Sequence, residues 1–557
     1  MFADLHSHPT FRPFNDLRNS GEDVFTNPGY TIWGVTHDNQ KAIAKGKRAA
    51  SYAQANVSRL LRGKVKLVYA SLYPIEQGFF LGNPNRNYNK KHVNLIARNW
   101  KKTKFNLFLS SILNGTLGGV VRLLVNGGIG RDIANSLFMK FSIHRINFLQ
   151  GEMADKHTGL QYQYFNELKL EYEFIHRFAD LACPDIGNDG ASLGCYRIVK
   201  DRQALERSFS EPREVALVLT IEGGHPISLD HARQPAESED VMNQRINWIK
   251  SHGIFFLTFA HHFDNRLCGH ARSLPRFTNI ILDQESNINT GFSALGWRVI
   301  RRLLSIDESN AYQHELGRRV LIDVKHMSSQ ARKEFYDEII TPYNQGRLAG
   351  NADMQQRKIP VIASHVGYSG RKTFEEVARN LDQETDDNSV LSALPADLFK
   401  QALQAKGFYG WNINVCDEDV RVIHQSEGLI GISFDQRVIG DLTDKKSLEA
   451  LAWAKLFLIN TLSCVEAVIQ SDLENKPSIW KRITIGTDFD GMIDPINTFA
   501  TSEEFGLFRK YLTEALHDIS DAHQSHYFIN YNPFTVEEVV DMITHKNMYA
   551  FTLQHLE

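Results

Sequence analysis

The sequence predicts an α/β fold, a (β/α)8 TIM-like barrel with two insertions. Three observations predict it. Short runs rich in Val, Ile and Leu recur along the chain, as strands covered on both faces of a parallel sheet require. Helix-like segments such as 296–305 and 329–340 lie between them, giving strand–helix alternation. Most of these runs end in His, Glu or Asp, and functional residues at the C-terminal ends of many parallel strands mark the working face of a barrel.

The first run, Phe2 to Leu5, leads into His6 and His8, spaced i, i+2 and so on one face of a strand. Residues 68–73 read as a second strand. The run 215–221 ends at Glu222, followed by Gly223, Gly224 and His225. The run 254–260 ends at His261 and His262. Residues 320–322 lead to Asp323 and then His326; residues 359–364 lead to His365; residues 483–487 lead to Asp488, followed by Phe489, Asp490 and Gly491. Any one of these is ordinarily a satisfied core or loop residue. Their recurrence at strand ends points to a metal site.

The 557 residues leave ample length beyond a barrel of about 250 residues. A net charge of −3 and a pI near 6.8 imply no global attraction to nucleic acid, so no nucleic-acid partner is expected. The five cysteines are scattered and form no C-x-x-C pair, which argues against a zinc ribbon or a disulfide framework and for a reducing compartment. With no leader ahead of Asp4 and no hydrophobic tail, a cytoplasmic location is expected.

The barrel is expected to begin in 1–81, continue in 151–365 and close in 412–557. Residues 82–150 form a basic, apolar helical insertion with eleven Lys and Arg against one acid, Asp132. Its apolar middle is too interrupted for a membrane span. Two readings stand: a helical subdomain packed on the barrel, or a peripheral contact with anionic membrane. Residues 366–411 form a second, polar insertion at the rim. Residues 533–543 read as a capped amphipathic helix with Thr535 near its start. A homodimer is also an expectation.

The stretches 220–225, 257–261, 321–328, 360–365, 414–421 leading to 428–432, and 486–491 occur in the order found in a known family. The chain resembles the membrane dipeptidases (renal dipeptidase, peptidase family M19) of the amidohydrolase superfamily. The resemblance covers most of the chain outside the two insertions. Glu222-Gly223-Gly224-His225 and Asp488-Phe489-Asp490-Gly491 are its most specific pieces. It implies a hydrolase acting on a dipeptide or other small peptide-like substrate. Two divalent metal ions are implied, zinc first by ligand type, with manganese or iron as alternatives. His6 and His8 would hold one, His326 and His365 the other, and Glu222 would bridge them, with a hydroxide between the metals attacking the amide. Asp488 would shuttle its proton and His261 would stabilise the oxyanion. His262 competes with His261, on the expectation that adjacent side chains diverge and only one serves. His225 reads as a loop or supporting histidine.

Two positions depart from the family pattern. The family usually opens His-X-Asp where this chain has His6-Ser7-His8. It also often carries an Arg, gripping the substrate carboxylate, where this chain has Ile413; Arg371 is the candidate replacement. Two other functions stay open: a metal-dependent phosphoesterase, since Asp4 to His8 resembles the opening of the polymerase-and-histidinol-phosphatase family, and a non-catalytic barrel scaffold.

Overall fold

The computed structural model describes residues 1–20, 32–33, 53–86, 89–94, 141–155, 159–185, 191–274, 278–279, 282–347, 353, 355–379, 410–440, 450–496, 498–524 and 532–556. Ten strands are present among them: β1 (Phe2–Ser7), β2 (Val65–Leu72), β3 (Cys183–Pro184), β4 (Ser192–Ile198), β5 (Glu214–Glu222), β6 (Phe256–Thr258), β7 (Leu321–Asp323), β8 (Ile362–Val366), β9 (Leu429–Ile432) and β10 (Ile483–Ile485). Eight are neighbours in the order β1-β2-β5-β6-β7-β8-β9-β10, all parallel. The chain after β10 returns to β1. Ser7 bridges Phe489 in parallel, the Asp488 N–H donates to the His6 carbonyl at 2.9 Å, and the His8 N–H donates to the Phe489 carbonyl at 2.8 Å. The ring is therefore closed, which removes the unpaired edges of an open sheet. The expected barrel is the observed one. β3 and β4 form a small antiparallel pair, and β4 also runs parallel to the start of β5.

Strand alternation divides the core into two layers. Ala216 and Val218 of β5 pack inside the ring with Leu5, Leu67, Tyr69, Leu321, Ile362 and Leu429. Their neighbours Val215, Leu217, Leu219 and Ile221 face outward into the helix layer. That layer includes the helix Ala294–Leu304, capped by Ser293, and the helix Ser329–Phe335, capped by Ser328. The helix Ala450–Ile469 is long and apolar enough to cross a membrane, but 89% of its apolar window is buried inside the protein, as in a core helix. Thr535 caps the helix Val536–Asp541 in a reciprocal box with Glu538. The following helix Asn547–His555 closes the lower end of the barrel, where Thr552 Oγ1 lies 2.7 Å from the Tyr69 hydroxyl.

A second apolar cluster sits at the other end. It joins Tyr73, Phe79 and Phe263 to Val93, Phe141, Ile146, Phe148 and Leu149, so the described flanks of the basic insertion pack on the barrel. Residues 87–88 and 95–140 lie outside the described residues, and with them the stretch expected to meet a membrane. Residues 380–409 of the rim insertion also lie outside them.

Candidate metal centre

Plain alternation would not bring the expected ligands together. In β1, Leu5 already packs inside the barrel, so His6 and His8 would turn away. A register shift corrects this. Three steps from Asp4 to Ser7 oppose two steps from Val68 to Ala70 on β2. β8 repeats the device: three steps from Ala363 to Val366 oppose two from Ile430 to Ile432 on β9. Such irregularities re-aim a side chain near a site. Glu222 needs none, being in phase with Ala216 and Val218. The chain then turns at Gly223, with φ +90°, where a Cβ would run into the His225 ring. His326 and Asp488 sit in the left-handed region at φ +65° and +61°, which costs non-glycine residues of order 1–3 kcal/mol each.

The five expected ligands meet above the barrel. His6 Nε2 and His8 Nε2 are 3.2 Å apart, and His326 Nε2 and His365 Nε2 are 3.3 Å apart. Glu222 lies between the pairs. Its Oε2 is 3.1 Å from His8, and its Oε1 is 3.4 Å from His6 and 3.5 Å from both His326 and His365. Asp488 Oδ1 is 3.5 Å from His8 and 3.9 Å from His6, and its Oδ2 is 3.9 Å from His365. All six side chains are buried. This donor set fits divalent ions. Two nitrogens about 2.0–2.1 Å from one tetrahedral ion stand roughly 3.3 Å apart. Two imidazoles facing nitrogen to nitrogen otherwise need a proton between them.

Supporting contacts fix several of these groups. His8 Nδ1 lies 3.0 Å from the Ser71 carbonyl and donates to it, so Nε2 is the nitrogen turned to the cluster. His365 Nδ1 is 2.8 Å from Ser364 Oγ, which donates to Asp323 at 2.6 Å. Asp323 also accepts from Thr258 Oγ1 at 2.6 Å and from the N–H groups of Ser364 and Lys325. Asp4 does the same work between β1 and β10, accepting from Thr487 Oγ1 at 2.6 Å and Thr487 N–H at 2.9 Å.

The electrostatics follow from burial and close approach. Burial alone would push Glu222 up, but His261, His6 and His8 outweigh it and hold the carboxyl well below its usual range. Burial works against a charge on His8, yet Glu222 and Asp488 push it up to about 10. Burial first, then repulsion from Glu222, raises Asp488. Burial lowers His326 and His365 well below their ordinary value, in the neutral form that ligates metals.

His261 and His262 overturn the expectation that they diverge. Their rings lie 3.8 Å apart at 49°, and both line the cavity above the ligands. They follow β6 in a turn, where strand alternation no longer holds. His261 Nδ1 is 2.5 Å from Glu76, and His261 Nε2 is 3.5 Å from Glu222 Oε2. Burial keeps its pKa at about 4. Glu76 also accepts from the N–H of Phe263 at 3.1 Å and from the Tyr73 hydroxyl. His262 Nδ1 is 2.6 Å from Ser273 Oγ. His261, His262 and His326 form a further three-histidine group. His225 stays behind the site, with Nε2 on the Pro74 carbonyl and its ring against Tyr164.

Arg371 is not brought to the cluster among the described residues. Ile413 lines the cavity, but Arg371 does not; its main-chain carbonyl accepts from Asp417 and its guanidinium lies beside Gly410. Among the described residues the Lys and Arg side chains on the cavity wall are Lys325 and Arg437. Sequence reasoning assigned no role to Glu76, Asp323 or Lys325. Glu76 offered no signal, being a lone acid four residues past β2. Asp323 and Lys325 did: they continue the inward alternation of Leu321.

No family model matches the chain, and no curated protein matches it. Solved structures do resemble it. The dipeptidase AC, a metallopeptidase of family M19, aligns with a TM-score of 0.48 and 10% identity, over 100% of this chain and 98% of that one. A metallopeptidase from Rhodobacter sphaeroides, solved with a phosphinate mimic of the dipeptide L-Ala-D-Ala, aligns with a TM-score of 0.45 and 11% identity, over 100% and 99%. The probable dipeptidase PvdM from Pseudomonas aeruginosa gives 0.37 and 14%, over 70% and 79%. Likeness at this level assigns no activity. The barrel rests on its own strand register and the site on its own side chains.

Proposed function

We propose that this chain is a metal-dependent hydrolase cleaving an amide bond of a dipeptide or similarly small substrate. The observation that supports it most is the placement of Glu222, with both oxygens 3.1–3.5 Å from the nitrogens of two histidine pairs. His6 and His8 would hold one divalent ion and His326 and His365 the other, with Glu222 shared. Such a pair of ions supplies an acidified water and a polarised carbonyl.

The chain's own groups do the rest. Asp488 stands over the cluster, 3.5 Å from His8 and 3.9 Å from His365, placed to take a proton from water and return it to the leaving nitrogen. His261 presents Nε2 to the cavity because Nδ1 is committed to Glu76. To stabilise an oxyanion it must donate from Nε2, which takes a second proton; burial opposes that proton in the resting site, and Glu76 together with the developing oxyanion favours it. Phe79, Leu274, Trp411, Ile413 and Val438 line the cavity and exclude water from the reacting groups.

Phosphoester hydrolysis is the second reading. The observation favouring it is the further group His261, His262 and His326, a candidate third cation position. Elemental analysis of protein purified without added metal, followed by assays on a dipeptide panel and a generic phosphomonoester, separates the readings. Two ions per chain with dipeptide turnover is the expected result. Three ions with phosphomonoester turnover favours the second reading, and absence of bound metal removes both.

A further inference from the structure

One charged group in the cavity is not explained by the metal centre. Lys325 continues the inward face of β7 and lines the cavity beside His326. Its side chain is buried and its Nζ has no hydrogen-bond partner among the described residues. The carboxylates around it are committed elsewhere. Asp323 is saturated by Thr258, Ser364 and the Lys325 N–H. Asp435 is gripped by Arg437 at 2.7–3.0 Å, and Arg437 also donates to the Met492 carbonyl. Glu222 and Asp488 face the histidines. An ammonium buried without a partner is costly, and proteins ordinarily pair or neutralise it. Here it faces a cavity whose other walls include Trp411, Ile413 and Val438.

We propose that Lys325 is the anion receptor of the substrate pocket: the molecule processed at this centre carries a carboxylate or phosphate group that accepts a charge-assisted hydrogen bond from Lys325 Nζ. The reaction type rests on the hydrolase reading above; the anion site does not. Arg437 fixes Asp435 and is not the receptor. The apolar wall receives the rest of the substrate.

The test uses full-length, metal-loaded protein. Inorganic phosphate and acetate are titrated calorimetrically into wild type, Lys325→Met and Lys325→Gln at constant ionic strength. A charge-assisted hydrogen bond corresponds to a roughly tenfold to hundredfold loss of affinity in both variants. Whichever probe loses more identifies the anion as carboxylate or phosphate. Anion affinity unchanged in the variants overturns the proposal, since binding then belongs to the metals alone. In parallel, a dipeptide is compared with its C-terminal amide, and a phosphorylated substrate with its uncharged parent. The expected result is a wild-type preference for the anionic member that collapses in the variants through KM rather than kcat. An equal loss on charged and neutral members marks a merely structural role and overturns it. Thermal melting gives an independent sign: removing an unpaired buried charge raises the Tm of the ligand-free variants, whereas a structural lysine lowers it. If wild type cleaves no amide, the hydrolase reading fails while the titration still decides the receptor.

Discussion

Two levels of the barrel treat buried polar groups in opposite ways. Just below the cavity, Asp4 and Asp323 are fully buried carboxylates without a cation, and each is saturated by strand hydroxyls and N–H groups. One layer higher, His6 Nδ1, His326 Nδ1 and Lys325 Nζ have no hydrogen-bond partner among the described residues, and Glu222 Oε1 meets only histidine nitrogens at 3.4–3.5 Å. Buried polar groups are ordinarily satisfied, so the contrast between the hydroxyl-bound carboxylates Asp4 and Asp323 and the histidine-facing Glu222 separates strand-tying carboxylates from the candidate centre. The lower carboxylates tie strands together.

The comparison breaks most visibly at Glu222. Glu222→Ala is expected to lose both metal ions or to keep one weakly, because it removes the carboxylate shared by two histidine pairs. Two tightly held ions per chain after dialysis would take Glu222 out of the centre. Asp488→Asn keeps the metals but is expected to lower turnover by about 10²-fold or more, the usual share of a general acid–base group; near wild-type turnover would exclude Asp488 from proton transfer.

The lower level answers to stability instead. Asp323→Asn sets an amide NH2 against groups that donate, and about 1–3 kcal/mol of stability should be lost in denaturant melts with metal content retained. Loss of metal without loss of stability would erase the distinction between levels. Glu76→Gln leaves the fold intact and removes the counter-ion of His261. Turnover should fall about tenfold with little change in KM, below the 10²–10⁴-fold typical of a direct acid–base group because Glu76 acts only through His261; a pure KM effect would reassign Glu76 to binding.

The smallest expected effect concerns a carboxyl beside the mouth. Glu171 accepts from Thr10 and the Tyr73 N–H, and burial pushes its pKa from the ordinary 4.5 to about 7. The folded state therefore binds this proton more tightly than the unfolded chain. Its stabilising contribution is full below pH 4.5 and is lost as the pH rises to 7. Glu171→Gln mimics the protonated form, so its melting curves should lose that pH dependence; an unaltered slope between these values would show that Glu171 is not the group responsible.

Much of this was legible in the chain. His6, His8, Glu222, His326, His365 and Asp488 each follow an apolar run, and strand ends on one face of a closed barrel converge whatever the loops do. What stayed hidden depended on partners distant in sequence. Glu76 meets His261 across 185 residues, and no local pattern encodes that. His261 and His262 defeated the alternation rule because they lie past the strand. Lys325 was readable by that same rule, but its lack of a partner is visible only once its neighbours are placed.

The register shifts in β1 and β8 make the site vulnerable to a different class of change. Substitution alters a donor one at a time. Deleting one residue from either irregularity would restore regular pairing, leave the barrel's apolar layers in place and swing a histidine out of the cavity. Divergent copies of this chain could lose the centre in one step while keeping the fold. A designer grafting the ligand set onto a regular barrel would have to transplant the two irregularities with it.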